Sequence, residues 1–432
     1  MHFQIDVRHA RVAWTAAMLA LSTGALAAGT PLTLAEAQSL AVARSPQVAA
    51  FGHAASSARE MAVAAGQLPD PTLKLAVQNL PVDGPDAFSL TSDFMTMRSI
   101  GVMQELTGRD KRELRARHSD LEAEKSLAER SLAVANVERD TALAWLDRHY
   151  AEAMRAAIDE QSGEARLQVE AAASAYRAAR GSQADVLAAR SALAMLEDRA
   201  SDADRRIRAA KYALVRWIGV DAERPLAGPV PIDQPPLHAH DLRAHIELHP
   251  DVEVLVKQEE IAANDVKLAE AARHPDWSVE LMYSQRGPAF SNMVSIGVSV
   301  PLPWDRPHRQ DRVLAAKLAM REQAREQRED MVRMHVADVG AMLAEWQAGR
   351  ERLGRYAREI LPLARERTQA ALGGYRGAKS SLVEVLAARR DELDARLQAL
   401  QLEWDNAHLW AQLAFLVPDH ESPDIGKMKD MK

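Results

Sequence analysis

Residues 176–190 read YRAARGSQADVLAAR, and residues 375–389 read YRGAKSSLVEVLAAR. Nine of the fifteen paired positions are identical without a gap, and the second copy begins 199 residues after the first, at 375 against 176. A match of this quality indicates an internal duplication. Each copy follows a long run of helix-forming residues and contains a Gly-Ser or Ser-Ser pair, which predicts a reversal of the chain. The sequence therefore predicts two copies of a unit in which a very long helix turns sharply into a returning helix.

Composition favours long helices and excludes several kinds of function. Of the 432 residues, 27% are charged and only 5% are aromatic, a balance typical of helical rather than all-β proteins. The net charge is −7 without any large basic block, so nucleic-acid binding has no electrostatic support. The chain contains no Cys, and we therefore expect no disulfide, no thiol chemistry and no lipidation.

The first 28 residues are predicted to be a signal peptide. Arg8 and Arg11 precede a short apolar stretch at residues 12–20, and the triplet at 25–27 has the small-x-small pattern of a cleavage site. The apolar stretch is too short to span a bilayer as a helix, and no other apolar run is long enough. We therefore expect an exported chain that can enter a membrane only as strands.

The first repeat is predicted to span residues 29–218 and to contain two strands before its long helix. Leu73, Leu75 and Val77 alternate with mostly polar residues, which gives this stretch one apolar face and one polar, solvent-facing side. The predicted elements are a helix over 31–68, strands at about 71–80 and 98–106, a long helix at about 109–179 and a return helix at 184–218.

The second repeat is predicted to span residues 250–417 with the same order of elements. Val294, Ile296 and Val298 alternate with Ser and Gly, and Pro362 is expected to kink the long helix because proline removes one intrahelical hydrogen bond. A Pro-rich connector at 219–249 separates the repeats, and a flexible tail is expected at 418–432. The predicted elements are strands at about 276–285 and 293–301, a long helix at about 307–377 and a return helix at 381–416.

The long helices are unusual in length. Residues 87–223 contain no Pro, and about 70 helical residues would extend for roughly 105 Å. Apolar residues recur at spacings of three and four, as a coiled-coil seam requires. The helices should therefore pack side by side and expose a charged face.

Four short amphipathic strands cannot close a membrane barrel, since the smallest use eight. An open sheet in lipid would leave backbone groups at its edges unpaired. If the strands enter a membrane, several chains must combine them. The alternative at this point is a soluble helical protein with two small hairpins.

Four short motifs stand in order along the chain: SIGVMQE at 99–105, GRDKR at 108–112, IGVSVPLP at 296–303 and EILPLA at 359–364. With these motifs the chain resembles the TolC-type outer-membrane efflux proteins, in particular their heavy-metal branch, and the resemblance covers about 32–416. It implies a mainly α fold with a small β part, in which a homotrimer pools four strands per chain into a twelve-stranded barrel in outer-membrane lipid. It further implies long periplasmic helical hairpins forming a tunnel.

The same resemblance implies a passive exit duct in the outer membrane of a Gram-negative bacterium. Its partners would be a periplasmic adaptor (membrane fusion protein) and an inner-membrane RND transporter, and its substrates heavy-metal cations. It implies no enzymatic activity and no cofactor, and the sequence shows no P-loop, HExxH or GxSxG motif. Alternatives are a drug or type I protein-secretion exit channel of the same fold, or a periplasmic coiled-coil scaffold or adaptor without a pore.

Two residues near the second tip are candidates for the pore constriction. The resemblance implies that Glu384 lines it, where three carboxylates would attract cations. An ordinary acid at a helix N-terminus remains the alternative. Tyr375 is a candidate for holding the tip closed, with ordinary packing as the alternative. Asp185, the first-repeat equivalent of Glu384, is expected to cap a helix.

The remaining candidate sites are surfaces rather than ligand pockets. The residues predicted for adaptor docking are Gly181, Ser182, Gln183, Ser380, Ser381 and Leu382. The residues predicted to face lipid are Leu73, Leu75, Val77, Val279, Leu281, Val294, Ile296 and Val298. No metal site is predicted, because the connector histidines His238, His240, His245 and His249 and the residues Met95, Met97 and Met103 fit an exposed connector and ordinary packing better.

Overall fold

A computed structural model describes residues 30–228, 230, 232 and 246–415. The predicted signal peptide at 1–28, the part of the connector that contains His238, His240 and His245, and the tail at 418–432 lie outside the described residues. The described part of the chain is mainly helical, with four short strands. None of its helices contains an apolar stretch that could span a bilayer.

The helices and strands follow one another in the order of the two sequence repeats. They are α1 (Leu34–Arg44), α2 (Pro46–Ala65), β1 (Thr72–Gln78), β2 (Met97–Leu106), α3 (Arg109–Arg177), α4 (Gln183–Ile218), α5 (Pro250–Ala271), β3 (Trp277–Gln285), β4 (Met293–Ser299), α6 (Gln310–Arg355), α7 (Leu361–Arg376) and α8 (Leu382–Ala414).

The chain forms two compact units, and neither coincides with one sequence repeat. We call them the helical unit, which comprises the described residues within Met1–Ser45, Val134–His240 and Val339–Lys432, and the sheet unit, which comprises those within Pro46–Ala133 and Asp241–Asp338. Each unit therefore combines segments from both repeats. The helices α3 and α6 contribute residues to both units.

The single helix predicted over 31–68 is wrong, because the structure has two helices there. Ser45 is extended, with φ −70° and ψ 113°, and ends α1. It precedes Pro46, whose ring disfavours helical backbone in the residue before it. Thr33 caps the start of α1 by accepting a hydrogen bond from the backbone N–H of Glu36, at 3.2 Å.

The four strands form one antiparallel sheet in the order β1-β2-β3-β4. The pairing of β2 with β3 joins the two repeats, and β1 and β4 are the edges. Leu75 lies opposite Ile100 and Leu281 opposite Ile296, so these apolar side chains share one face of the sheet. Every residue of β4 is exposed.

The other face of the sheet carries polar side chains that contact one another. Lys74 forms an ion pair with Glu280 at 2.7 Å, and the buried hydroxyls of Ser99 and Ser284 lie 2.8 Å apart. Gly101 lets β2 and β3 approach closely, since a Cβ at this position would lie 2.9 Å from the carbonyl oxygen of Leu281. The alternation read from the sequence therefore corresponds to two chemically different faces.

The second long helix is interrupted where the sequence predicts a kink. Residues Tyr356–Ile360 form one π-helical turn between α6 and α7, and the backbone N–H of Leu361 donates to the carbonyl of Tyr356, five residues earlier. Pro362 follows directly and has no N–H to donate. The wider turn makes room for the proline ring without ending the helix.

One buried residue, Leu32, packs the start of the described chain against the rest of the helical unit. Leu32 is fully buried and forms an isolated parallel bridge with Leu226. The indole N–H of Trp145, which is also fully buried, donates to the carbonyl of Leu32 at 3.2 Å. Because this N–H has a partner, the large ring is buried without an unpaired polar atom.

Candidate functional site: the paired tips of the helical unit

The two duplicated turns of the helical unit have the same backbone hydrogen bonds. In the first, the N–H of Arg180 donates to the carbonyl of Ala175 at 2.8 Å, and that of Ala179 donates to Tyr176 at 3.0 Å. At the second turn, 199 residues later, the N–H of Lys379 donates to the carbonyl of Gly374 at 2.7 Å. The N–H of Ala378 donates to the carbonyl of Tyr375 at 3.0 Å. This pair of bonds is the Schellman motif, which satisfies the last carbonyls of a helix.

Both turns place an alanine in the left-handed region of backbone space. Ala179 and Ala378 each have a φ of 55°. This position of the motif usually holds Gly, because a Cβ costs energy there. The sequence carries no signal for these strained alanines.

Replacing Ala179 or Ala378 with Gly should stabilise its turn by about 1 kcal/mol, because the left-handed strain is removed. The amide N–H of Arg180 or Lys379 should then exchange with deuterium roughly five-fold more slowly. The matched control is Ala171→Gly in the interior of α3, which should destabilise its helix by about 1 kcal/mol. Faster exchange in the turn variants would contradict the expected gain.

Each return helix begins with a serine cap and an acid three residues later. The Ser182 hydroxyl accepts from the N–H of Asp185 at 3.1 Å, and the Asp185 carboxylate accepts from the N–H of Ser182 at 3.0 Å, forming a capping box. Hydrogen bonds from the Ser182 hydroxyl, and then from its N–H, lower the pKa of Asp185. The contact is therefore fully kept above the ordinary pKa of 3.8 and is lost as pH falls through the lowered value.

Glu384 has the equivalent place on α8. Its N–H donates to the Ser381 hydroxyl at 3.3 Å, and its exposed carboxylate lies 3.3 Å from the same hydroxyl. Within one chain, Glu384 therefore has the geometry of a helix-capping acid. Its position in a pore constriction stays a prediction, because that role requires neighbouring chains.

A small apolar cluster packs the two tips together. Its buried members come from both repeats and are Ala172, Val186, Ala189, Leu382 and Val385. Tyr375 is half-buried and packs against this cluster. The Ser380 hydroxyl donates to the carbonyl of Ala371 at 3.0 Å, within the second turn. The duplicated turns thus lie side by side in the helical unit.

The residues predicted for docking differ in their accessibility. Ser182, Gln183 and Ser381 are exposed, whereas Gly181 and Ser380 are half-buried. Leu382 is only 4% exposed, so its side chain holds the tips together and is not available to a partner. This corrects the predicted docking set, and the cause is that an apolar residue beside a turn buries against the neighbouring helical hairpin.

The residues predicted to face lipid lie on the apolar face of the sheet. All of them are exposed apart from Val279, which is half-buried. Val279 lies opposite Val298 in the sheet, so both residues belong to the apolar face. Contact with lipid stays a prediction.

One group that the sequence did not reveal lies in the sheet unit. His249, Asp251 and His335 form the described residues' one cluster of three or more potential metal ligands, with ligand atoms within 4.8 Å of one another. His335 follows Asp251 by 84 residues, and no motif connects the two positions.

Comparison with solved structures shows which class of protein has this fold. VceC, an outer membrane protein of Vibrio cholerae, is 18% identical, and the match covers 89% of this chain and 95% of that chain at a TM-score of 0.72. A membrane protein of Pseudomonas aeruginosa is 16% identical, and the match covers 89% of this chain and 93% of that chain at a TM-score of 0.75. CusC, which forms a transmembrane channel, is 16% identical, and the match covers 90% of this chain and 93% of that chain at a TM-score of 0.71. The chain therefore has the mainly helical fold of TolC-like outer-membrane channels.

A more specific similarity comes from the sequence of the second half. Residues 242–417 match the model of the outer membrane efflux protein family, and this segment contains the whole second repeat. That part of the chain is thus similar to outer membrane efflux proteins. Comparison with curated protein sequences found no significant match.

Proposed function

We propose that this protein is the outer-membrane exit duct of a tripartite efflux system and that it conducts substrates without chemical conversion. The observation that carries the proposal is the four-stranded sheet, whose apolar face is exposed and whose edge strands β1 and β4 have no partner strand within the described chain. In lipid, such edges must be paired, since an unpaired backbone group costs several kcal/mol. Pairing β4 of one chain with β1 of the next satisfies both edges.

Three chains would close a barrel of twelve strands, in line with the even strand numbers of bacterial outer-membrane barrels. The exposed apolar face then meets lipid, and the face that carries Lys74 and Glu280 lines the lumen. The shared fold with outer-membrane channels and the family match over 242–417 support this assembly. The paired tips are the proposed docking surface for a periplasmic adaptor, which an inner-membrane transporter accompanies.

For the substrate, we propose heavy-metal cations. This finer proposal depends on the resemblance of residues 99–112, 296–303 and 359–364 to the heavy-metal branch of the family. Drug efflux and type I protein secretion use ducts of the same fold and remain the competing substrate classes. The coiled-coil scaffold or adaptor is disfavoured by the fold, which matches channels along about nine-tenths of the chain.

The assembly is tested by purifying the protein from membranes in detergent and measuring its mass and its conductance in planar bilayers. A trimer that forms an open or gated pore is expected. A monodisperse monomer in water without detergent would overturn the proposal. Susceptibility of a deletion strain to metal salts and to drugs then distinguishes the substrate classes.

Replacing Glu384 with Gln should reduce the preference of the channel for cations over anions, because a ring of three carboxylates near the constriction is lost. The measurement is the reversal potential across a planar bilayer in a salt gradient. Asp185→Asn is the matched control, since it removes the equivalent capping acid of the first repeat. Equal shifts in both variants, or none in Glu384→Gln, would remove Glu384 from the constriction.

A further inference from the structure

The start of α5 and the middle of α6 bring two imidazoles and a carboxylate together inside the sheet unit. The rings of His249 and His335 have centroids 4.6 Å apart. Nε2 of His335 lies 3.2 Å from Oδ2 of Asp251, and Nδ1 of His249 accepts the backbone N–H of Asp251 at 3.1 Å. One potential ligand atom from each residue lies within 4.8 Å of the others.

These distances suit capture of a metal ion after small side-chain rotations. Two ligands at about 2.0–2.1 Å from a tetrahedral Zn²⁺ lie roughly 3.3 Å apart. His335 and Asp251 are already at 3.2 Å, and the remaining distances, which are within 4.8 Å, must shorten by at most about 1.5 Å. The side chains of His335 and Asp251 are 17% and 32% exposed, which shields the group but leaves a path for an ion. Asp251 and Glu253 also place negative charge in the first turn of α5, against the positive end of the helix dipole.

The duplication shows that the helix start does not need these ligands. In the first repeat the corresponding Ser45-Pro46-Gln47 also stands at the start of a helix, yet it offers neither imidazole nor carboxylate. The His-Pro-Asp version therefore adds metal-ligating groups at a position where the fold accepts other residues, and His335 on another helix supplies the third group.

We propose that His249, Asp251 and His335 form a binding site for one divalent transition-metal ion of the Zn²⁺ class, which links the start of α5 to α6. Two neutral imidazole nitrogens and one carboxylate oxygen are ligands that suit Zn²⁺, and water completes a tetrahedron. A ring nitrogen binds the ion only when it carries no proton, so the ion takes the place of the direct contact between His335 and Asp251. The site does not depend on the proposed conduit function.

The test is calorimetric titration of the purified, chelator-treated protein with ZnCl₂. Wild type is expected to bind one Zn²⁺ per chain, and His335→Ala should bind it at least ten-fold more weakly, because loss of even a supporting residue of a metal site costs 10- to 100-fold. The matched control is His118→Ala, which removes a histidine that pairs with Asp265 at 2.8 Å in the same unit. This control should bind as wild type does.

A second variant and a second readout keep the result interpretable if His335→Ala does not assemble. Asp251→Asn keeps the size of the side chain but removes its charge, and it should also weaken Zn²⁺ binding at least ten-fold. At one fixed Zn²⁺ concentration, the thermal midpoint of wild type and of His118→Ala should rise by more than that of Asp251→Asn. MgCl₂ should have no effect, since Mg²⁺ prefers oxygen ligands. Wild-type affinity in both site variants, or no saturable binding by wild type, would overturn the proposal.

Discussion

An arginine at position 296 is expected to prevent most of the protein from assembling in the outer membrane. Ile296 lies in β4, is 75% exposed and is directly opposite Leu281 on the apolar face of the sheet. If this face meets lipid near the middle of the bilayer, Ile296→Arg should cost roughly 2–4 kcal/mol per chain. The proposed trimer would carry the substitution three times. The measurement is the fraction of protein recovered as detergent-extracted trimer from outer membranes.

The neighbouring residue provides a matched control. Ser295 precedes Ile296 in the same strand, is also exposed, and lies opposite Met282 on the other face. Ser295→Arg should assemble nearly as well as wild type, because an arginine on the face that is proposed to line the lumen would remain in water. Equal loss in both variants would show that the strand does not separate lipid from lumen.

A tryptophan at position 183 is expected to abolish efflux while leaving trimers intact. Gln183 is the first residue of α4, its side chain is exposed at the tip, and it lies beside the cap formed by Ser182. A bulky ring there should block end-to-end contact with an adaptor, so resistance should fall to that of a deletion strain. The measurement is growth in metal salts or drugs, with trimer quantity determined in parallel.

The choice of position follows from the geometry of the tips. Ser380 donates to Ala371, and Ser381 caps α8, so a tryptophan at either position would also disturb the turn itself. The matched control is Gln347→Trp, which introduces the same ring at an exposed site in the last turns of α6, away from the duplicated turns in the sequence. Normal resistance in Gln183→Trp, or equal loss in both variants, would refute docking at the tips.

The parts of the fold that could be predicted are those encoded by local pattern. The duplicated tip, the long helices and the strand alternation each depend on residues close in the chain, and the structure has these elements near the expected positions. The break before Pro46 was missed, although its cause is local. The helical periodicity on both sides of Ser45 conceals a single extended residue.

The candidate site was predictable in part for the same reason. The acid at 185 is expected to cap a helix, and the structure has it in a capping box with Ser182. The burial of Leu382 was not predictable, because it depends on which helical hairpin lies next to the second turn. The left-handed alanines were also hidden, since sequence statistics favour Gly there and the hydrogen bonds of the turn overcome the strain.

Sequence alone determined the repeat, the two helical reversals and the two-faced strands, because backbone sterics and periodicity act over a few residues. Tertiary structure decided which strands pair, that β2 and β3 join the repeats, and that each compact unit draws on both of them. It also brought His335 to Asp251 across 84 residues. Contacts over such separations come from the packing of whole helices and strands, and no local pattern records them.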